Sequence, residues 1–137
     1  MKAKVLVFLL LVMFIFPSCK NITDEILPVG EVEIFLDSIS FQDDIATISL
    51  KFRELAGVES EVMCLMPKFM KDGSFLECGY FAPCVEIPRY GEISWIQKMP
   101  VTGAYKEADI LRIIIQLQTE NFEGFHVSKD FNIKIGV

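Results

Sequence analysis

The side chains in this 137-residue sequence best suited to covalent or metal chemistry are four cysteines, Cys19, Cys64, Cys78 and Cys84, and one histidine, His126. A nucleophilic Ser or Cys needs a base within hydrogen-bonding reach. Here His126 would have to serve, and a single histidine near a strand start reads more readily as a surface residue. No G-x-S-x-G, H-E-x-x-H, glycine-rich phosphate loop or C-x-x-C occurs. Three thiolates at 64, 78 and 84 match no usual zinc spacing, and His126 lies far along the chain, so no metal and no cofactor are expected. Asp37 with Asp43 and Asp44 suits calcium at a sandwich end, but without the spacing of a calcium loop. The positive binding signal is aromatic. Tyr80, Phe81, Tyr90 and Tyr105 fall in or beside connections, with Trp95 close in sequence. Exposed rings suit stacking on sugar faces or burial at a protein interface; the competing reading is that they cap the core.

The elements that must position these residues are strands. From Glu31 the apolar pattern has period two, as half-buried strands require. Val32, Ile34 and Leu36 share a face, and Ile39 and Phe41 continue past a kink. Gln42-Asp43-Asp44 is a turn. Ile45 to Arg53 alternates cleanly, with Ala46, Ile48, Leu50 and Phe52 inward. Further strands are expected at Glu61 to Lys68, Ser74 to Phe81, Glu92 to Lys98, Ile110 to Gln118 and Phe131 to Val137. An Asp72-Gly73 turn, a long loop from Ala82 to Gly91 and a turn over Thr119 to Gly124 separate them; Ala104 to Ala108 has helical-turn character, and His126-Val127 offers an earlier start for the last strand. About seven strands without an amphipathic helix predict an all-β fold, an antiparallel β-sandwich of immunoglobulin or fibronectin-III type. A small β-barrel is the alternative. The Cys-Trp-Cys signature is absent, since Trp95 follows every cysteine.

Ahead of the strands stands a different kind of segment. Lys2 and Lys4 lead into an apolar run from Val5 to Phe16, followed by Pro17, Ser18 and Cys19. Twelve residues make a helix of about 18 Å, short of a hydrocarbon core of about 30 Å. The run therefore reads as the apolar region of a signal peptide behind a basic n-region, in preference to a membrane helix. Ordinary signal peptidase wants small residues one and three places before its cut, and neither cut beside Cys19 supplies both. An apolar residue, two more ending in a small one, then Cys is the lipobox order. Phe16-Pro17-Ser18-Cys19 resembles the lipobox of bacterial lipoproteins, with Phe16 where Leu is usual and Pro17 where Ala, Ser or Thr is usual.

The resemblance covers the leader alone. It implies that residues 1–18 are removed and that Cys19 carries lipid on its sulfur and its amine. Residues 19–30 then form a lipidated cysteine and tether, and 31–137 the sandwich domain. Several acyl chains, at about 0.8 kcal/mol per buried CH₂, make a firm anchor. Lys20 in place of Asp leans, in family terms, towards the outer membrane over the inner. The alternative is a plain secreted protein.

Loss of the leader removes two lysines and no acid, leaving 11 basic and 19 acidic side chains, a charge of −8. Such a domain repels nucleic acid and anionic headgroups, so the expected membrane partner is reached through lipid and not a basic patch. With Cys19 lipidated, an oxidising compartment predicts one disulfide among the three remaining cysteines. A five-residue loop over Phe69 to Gly73 would place Cys64 opposite Cys78, which makes that pairing the first choice; Cys78–Cys84 and Cys64–Cys84 stay open.

The sequence thus favours a non-enzymatic, membrane-anchored lipoprotein, a binding or structural module of the bacterial cell envelope. Its partner would be an envelope protein, a glycan or another copy of itself. A small exported enzyme or enzyme inhibitor is the alternative.

Overall fold

A computed structural model describes residues 30–120 and 124–133. The leader, Cys19 and the tether, apart from Gly30, lie outside the described residues. The strands are β1 (Val32–Gln42), β2 (Ile45–Glu54), β3 (Ser60–Lys71), β4 (Ser74–Cys78), β5 (Val85–Ile87), β6 (Glu92–Pro100), β7 (Ile110–Thr119) and β8 (Phe125–Asn132), with a 3-10 turn at Ala104–Glu107 before β7.

They form two antiparallel sheets. The smaller has the order β1-β2-β6. The larger runs β4-β3-β7-β8, with β5 sharing the β4 edge of β3. The sheets do not close into a barrel, so the fold is the expected β-sandwich. Its core is the set of inward positions that the alternation marks: Ala46, Ile48, Leu50 and Phe52 of β2 face Leu111, Ile113, Ile115 and Leu117 of β7, all fully buried. Each such aliphatic or aromatic side chain larger than alanine contributes about 1.5–3 kcal/mol on leaving water.

Two tight hairpins close one end. Gln42 pairs with Ile45 around Asp43-Asp44, both with positive φ, and Lys71 pairs with Ser74 around Asp72-Gly73, also both positive. Positive φ at both central residues is the type I′ arrangement, whose twist matches that of the strands. Asp tolerates this region better than most residues.

Three features differ from the sequence expectation. The fourth strand ends at Cys78 instead of Phe81, although Phe81 returns to exchange both backbone hydrogen bonds with Leu65, at 2.8 and 2.9 Å. The loop expected from Ala82 to Gly91 contains β5, which pairs with Ser60 to Val62. The last strand is Phe125–Asn132, not Phe131–Val137; residues 134–137 lie outside the described residues. The inward position opposite Ile113 on β8 is held by Lys129, which breaks the apolar alternation in the sequence. As the edge strand of the larger sheet, β8 can carry an inward charge, because its side chain escapes sideways. Lys129 does so, with Nζ 5.6 Å from the centres of the Phe35 and Phe131 rings.

Candidate functional site

The side chains with reactive potential gather on the outer face of the larger sheet, and a bulge in β3 puts them there. Val62 is core and pairs with Leu117; the register then shifts, and Cys64 pairs with Gln116 while Leu65 becomes core. Directly paired residues share a face. Gln116 lies between the buried Ile115 and Leu117, so it and Cys64 face outward. Cys64 is nevertheless 9% exposed, because Tyr80 lies over it. The Tyr80 hydroxyl and the Cys64 sulfur are 2.9 Å apart. The hydrogen bond with Cys64 raises the Tyr80 hydroxyl above its ordinary pKa. Beside them runs a groove of about 640 Å³ lined by Met63, Cys64, Ala82, Cys84, Gln116, Gln118 and Gly124.

His126 is on the same face, since it pairs with Gln116. The row reads Cys64, Gln116, His126, so two strand spacings, about 10 Å, separate the Cys64 and His126 backbones. Gln116 stands between them, and the Cys64 sulfur is paired with the Tyr80 hydroxyl, so this arrangement is not a Cys-His dyad.

The cysteine pairing drawn from sequence is corrected by the hairpin. The β3–β4 turn has two central residues, not five, and a register shift between Phe69 and Met70 leaves Cys78 opposite Lys68. Cys78 is thus four residues along β3 from Cys64, about 13 Å, where a disulfide spans Cα atoms no more than about 7 Å apart. All three described cysteines are free thiols, Cys64 buried and Cys78 and Cys84 exposed. Among the described residues no three His, Cys, Asp or Glu side chains converge as metal ligands. Asp37 sits in the β1 bulge, about 20 Å along the strand from the Asp43-Asp44 turn, so the three aspartates are not one site.

The five aromatics do not form one patch. Tyr80 is 67% exposed on the outer face, and Tyr90 is 74% exposed at the end of the molecule where β2 finishes. Phe81 and Trp95 pack against the core, and Trp95 Nε1 donates to Gln97 Oε1 at 3.1 Å. Tyr105 stacks on Phe41 at 4.1 Å between ring centres. Three further exposed apolar residues, Phe75, Ile96 and Leu55, carry no distinguishing mark in the sequence, since each sits in an ordinary strand or loop context.

Two glutamates organise the ends of the sandwich. The Glu54 carboxylate accepts backbone N–H groups of Ala56 at 2.7 Å, Gly57 at 2.6 Å, Val58 at 2.9 Å and Tyr90 at 3.1 Å. Burial pushes its pKa up, but those N–H groups outweigh burial and leave it below the ordinary value. Glu77, from β4, likewise accepts from Thr102 N–H, from the Thr102 hydroxyl at 3.0 Å and from Tyr105 N–H at 2.7 Å. Its pKa is lowered by the same balance. Both carboxylates spend their lone pairs on the protein's own loops, which makes them structural. Nothing in the sequence pattern marks either one, because their partners are mostly backbone N–H groups, which every residue type but proline carries.

The fold is shared with a solved structure. A Bordetella pertussis protein described as ApaA is similar over 77% of this chain and 93% of its own, with 8% identity and a TM-score of 0.50. A protein described as late embryogenesis abundant is similar over 98% of this chain and 86% of its own, with 10% identity and a TM-score of 0.46. At these identities the likeness concerns fold alone. No family model and no curated protein sequence matches the chain.

Proposed function

We propose that this chain is a membrane-anchored lipoprotein whose sandwich serves as a non-enzymatic binding or structural module of the bacterial envelope. The observation that carries this reading is the leader: a basic start, twelve apolar residues and Phe16-Pro17-Ser18-Cys19. The fold is compatible with an anchor at one end. The described chain begins at Gly30 beside Glu54, where Leu55 N–H donates to the Glu31 carbonyl at 2.7 Å. Eleven residues from Lys20 to Gly30 span at most about 40 Å, which keeps the domain near the bilayer with Leu55 and Tyr90 at its membrane-proximal end. Gln116 between Cys64 and His126, and the pairing of the Cys64 sulfur with Tyr80, support a binding role over thiol catalysis. Exposed Tyr80 and Phe75 on the outer face of the larger sheet suit contact with a protein or glycan partner.

The test is the mass and detergent partitioning of the protein purified from a bacterial host, beside Cys19→Ala. A native form that starts at Cys19, carries acyl mass and enters the detergent phase, with a variant that does neither, supports the anchor. Two soluble, unlipidated forms would refute it and leave a secreted protein.

A further inference from the structure

We infer that Cys64 and Cys84 are a disulfide-forming pair, oxidised through the groove they share. Two fixed points bracket them. Val62 pairs with Val85, and Leu65 bridges Phe81. Between these points β3 contributes Met63 and Cys64, and the opposing chain contributes Ala82, Pro83 and Cys84. Cys84 is therefore one strand spacing sideways from Cys64 and about one residue along, which gives a Cα separation of about 6 Å. That lies within disulfide range, whereas Cys64–Cys78 does not. Cys78–Cys84 fails for the same reason: Cys78 is opposite Lys68, Cys84 adjoins the residue opposite Val62, and about five residues of β3, some 17 Å, separate them.

The two thiols also share a face. Cys84 is exposed, and Cys64 faces outward beneath Tyr80. Both line the same groove. Cys84 has φ +50°, a left-handed conformation that a residue with a Cβ adopts only where its surroundings impose it.

The exposures assign the order of events. The exposed Cys84 thiolate attacks a small disulfide oxidant such as oxidised glutathione and expels one glutathione thiolate. The buried Cys64 gives up its proton to solvent, and its thiolate then attacks the Cys84 sulfur, expelling the second. The protein loses two hydrogens and the oxidant gains them as two thiols. Bridge formation takes Cys64 away from the Tyr80 hydroxyl. The oxidising compartment comes from the exported reading above, but the chemistry does not depend on it.

The full chain carrying Cys19→Ser, purified in detergent and exposed to oxidised glutathione, should fall from three free thiols to one. Proteolytic mapping without reduction should join the peptides holding Cys64 and Cys84 and leave Cys78 free. Cys78→Ser should bridge as readily. Cys84→Ser should not bridge, and should keep its Cys64 thiol. A bridge to Cys78, or three thiols still free after oxidant, overturns the inference. Because the oxidant is supplied, failure of the anchor reading leaves this result untouched.

Discussion

The Glu54 carboxylate holds the backbone N–H of Tyr90 at 3.1 Å, across 36 residues of sequence, while the same oxygen takes the N–H groups of Gly57 and Val58. One side chain at the end of β2 thereby fixes both the turn after it and the loop that feeds β6. In Glu54→Gln an amide NH₂ must face N–H donors whichever way it is turned. The expected loss is about 1–3 kcal/mol, the cost of buried donors left unpaired, read as a lower urea midpoint with unchanged slope.

Acid should act through the same two carboxylates. Glu54 and Glu77 are held below their ordinary value of 4.5 in the folded state. A depressed folded pKa gives stability that is fully present above the unfolded value and is lost as pH falls through the folded one. Urea midpoints should therefore be level near neutrality and fall below about pH 4.5. In Glu54→Gln/Glu77→Gln the fall should be shallower, with a residual slope from Asp130 and Glu92, which are also lowered by their arginine partners. An unchanged slope in the double variant would remove these glutamates from the explanation.

Gly57 carries two separable constraints. Its φ is +77°, and a Cβ there would stand 2.6 Å from the Tyr90 ring. Gly57→Ala should destabilise by more than about 1 kcal/mol, the ordinary penalty for a side chain in the left-handed region. In a Tyr90→Ala background the ring clash is gone and only the backbone part remains. Thermal unfolding of the four proteins of the cycle should show that difference; equal penalties in both backgrounds would mean the ring moves aside freely.

Tyr105 rests flat on Phe41, with 5° between the ring planes, and both lie about 6 Å from Phe69. A double-mutant cycle of Phe41→Leu and Tyr105→Leu should give a coupling of about 0.5–1.5 kcal/mol. No coupling would place Tyr105 outside the core's energetics and make it available to a partner.

The strands with clean alternation, β2 and β7, are legible in the sequence almost to the residue, because burial on one face of a pleated strand enforces a period of two. The errors fall where something local breaks the period. Lys129 occupies an inward position on β8 that only an edge strand tolerates, so it interrupts the apolar alternation between Val127 and Phe131. Three residues are too few to show a period, so β5 is invisible between Pro83 and Pro88. The cysteine register fails because it assumes a five-residue loop, whereas the β3–β4 turn has two central residues and a bulge between Phe69 and Met70 moves the register by one more. A bulge inserts one residue and reverses the facing of every residue beyond it on the strand. The Glu54 and Glu77 contacts have no signal at all, since backbone N–H groups carry no residue identity.

The chain enters β1 at the Glu54 end and leaves β8 at the hairpin end, with β1 and β8 pointing the same way. Tension applied between Gly30 and Ile133 therefore runs along the strand axes. It loads the β1–β2 and β7–β8 ladders in shear, many hydrogen bonds at once, instead of peeling them singly. A domain strung in this way between a fixed point and a pulling partner would act as a stiff link and not as an extensible one.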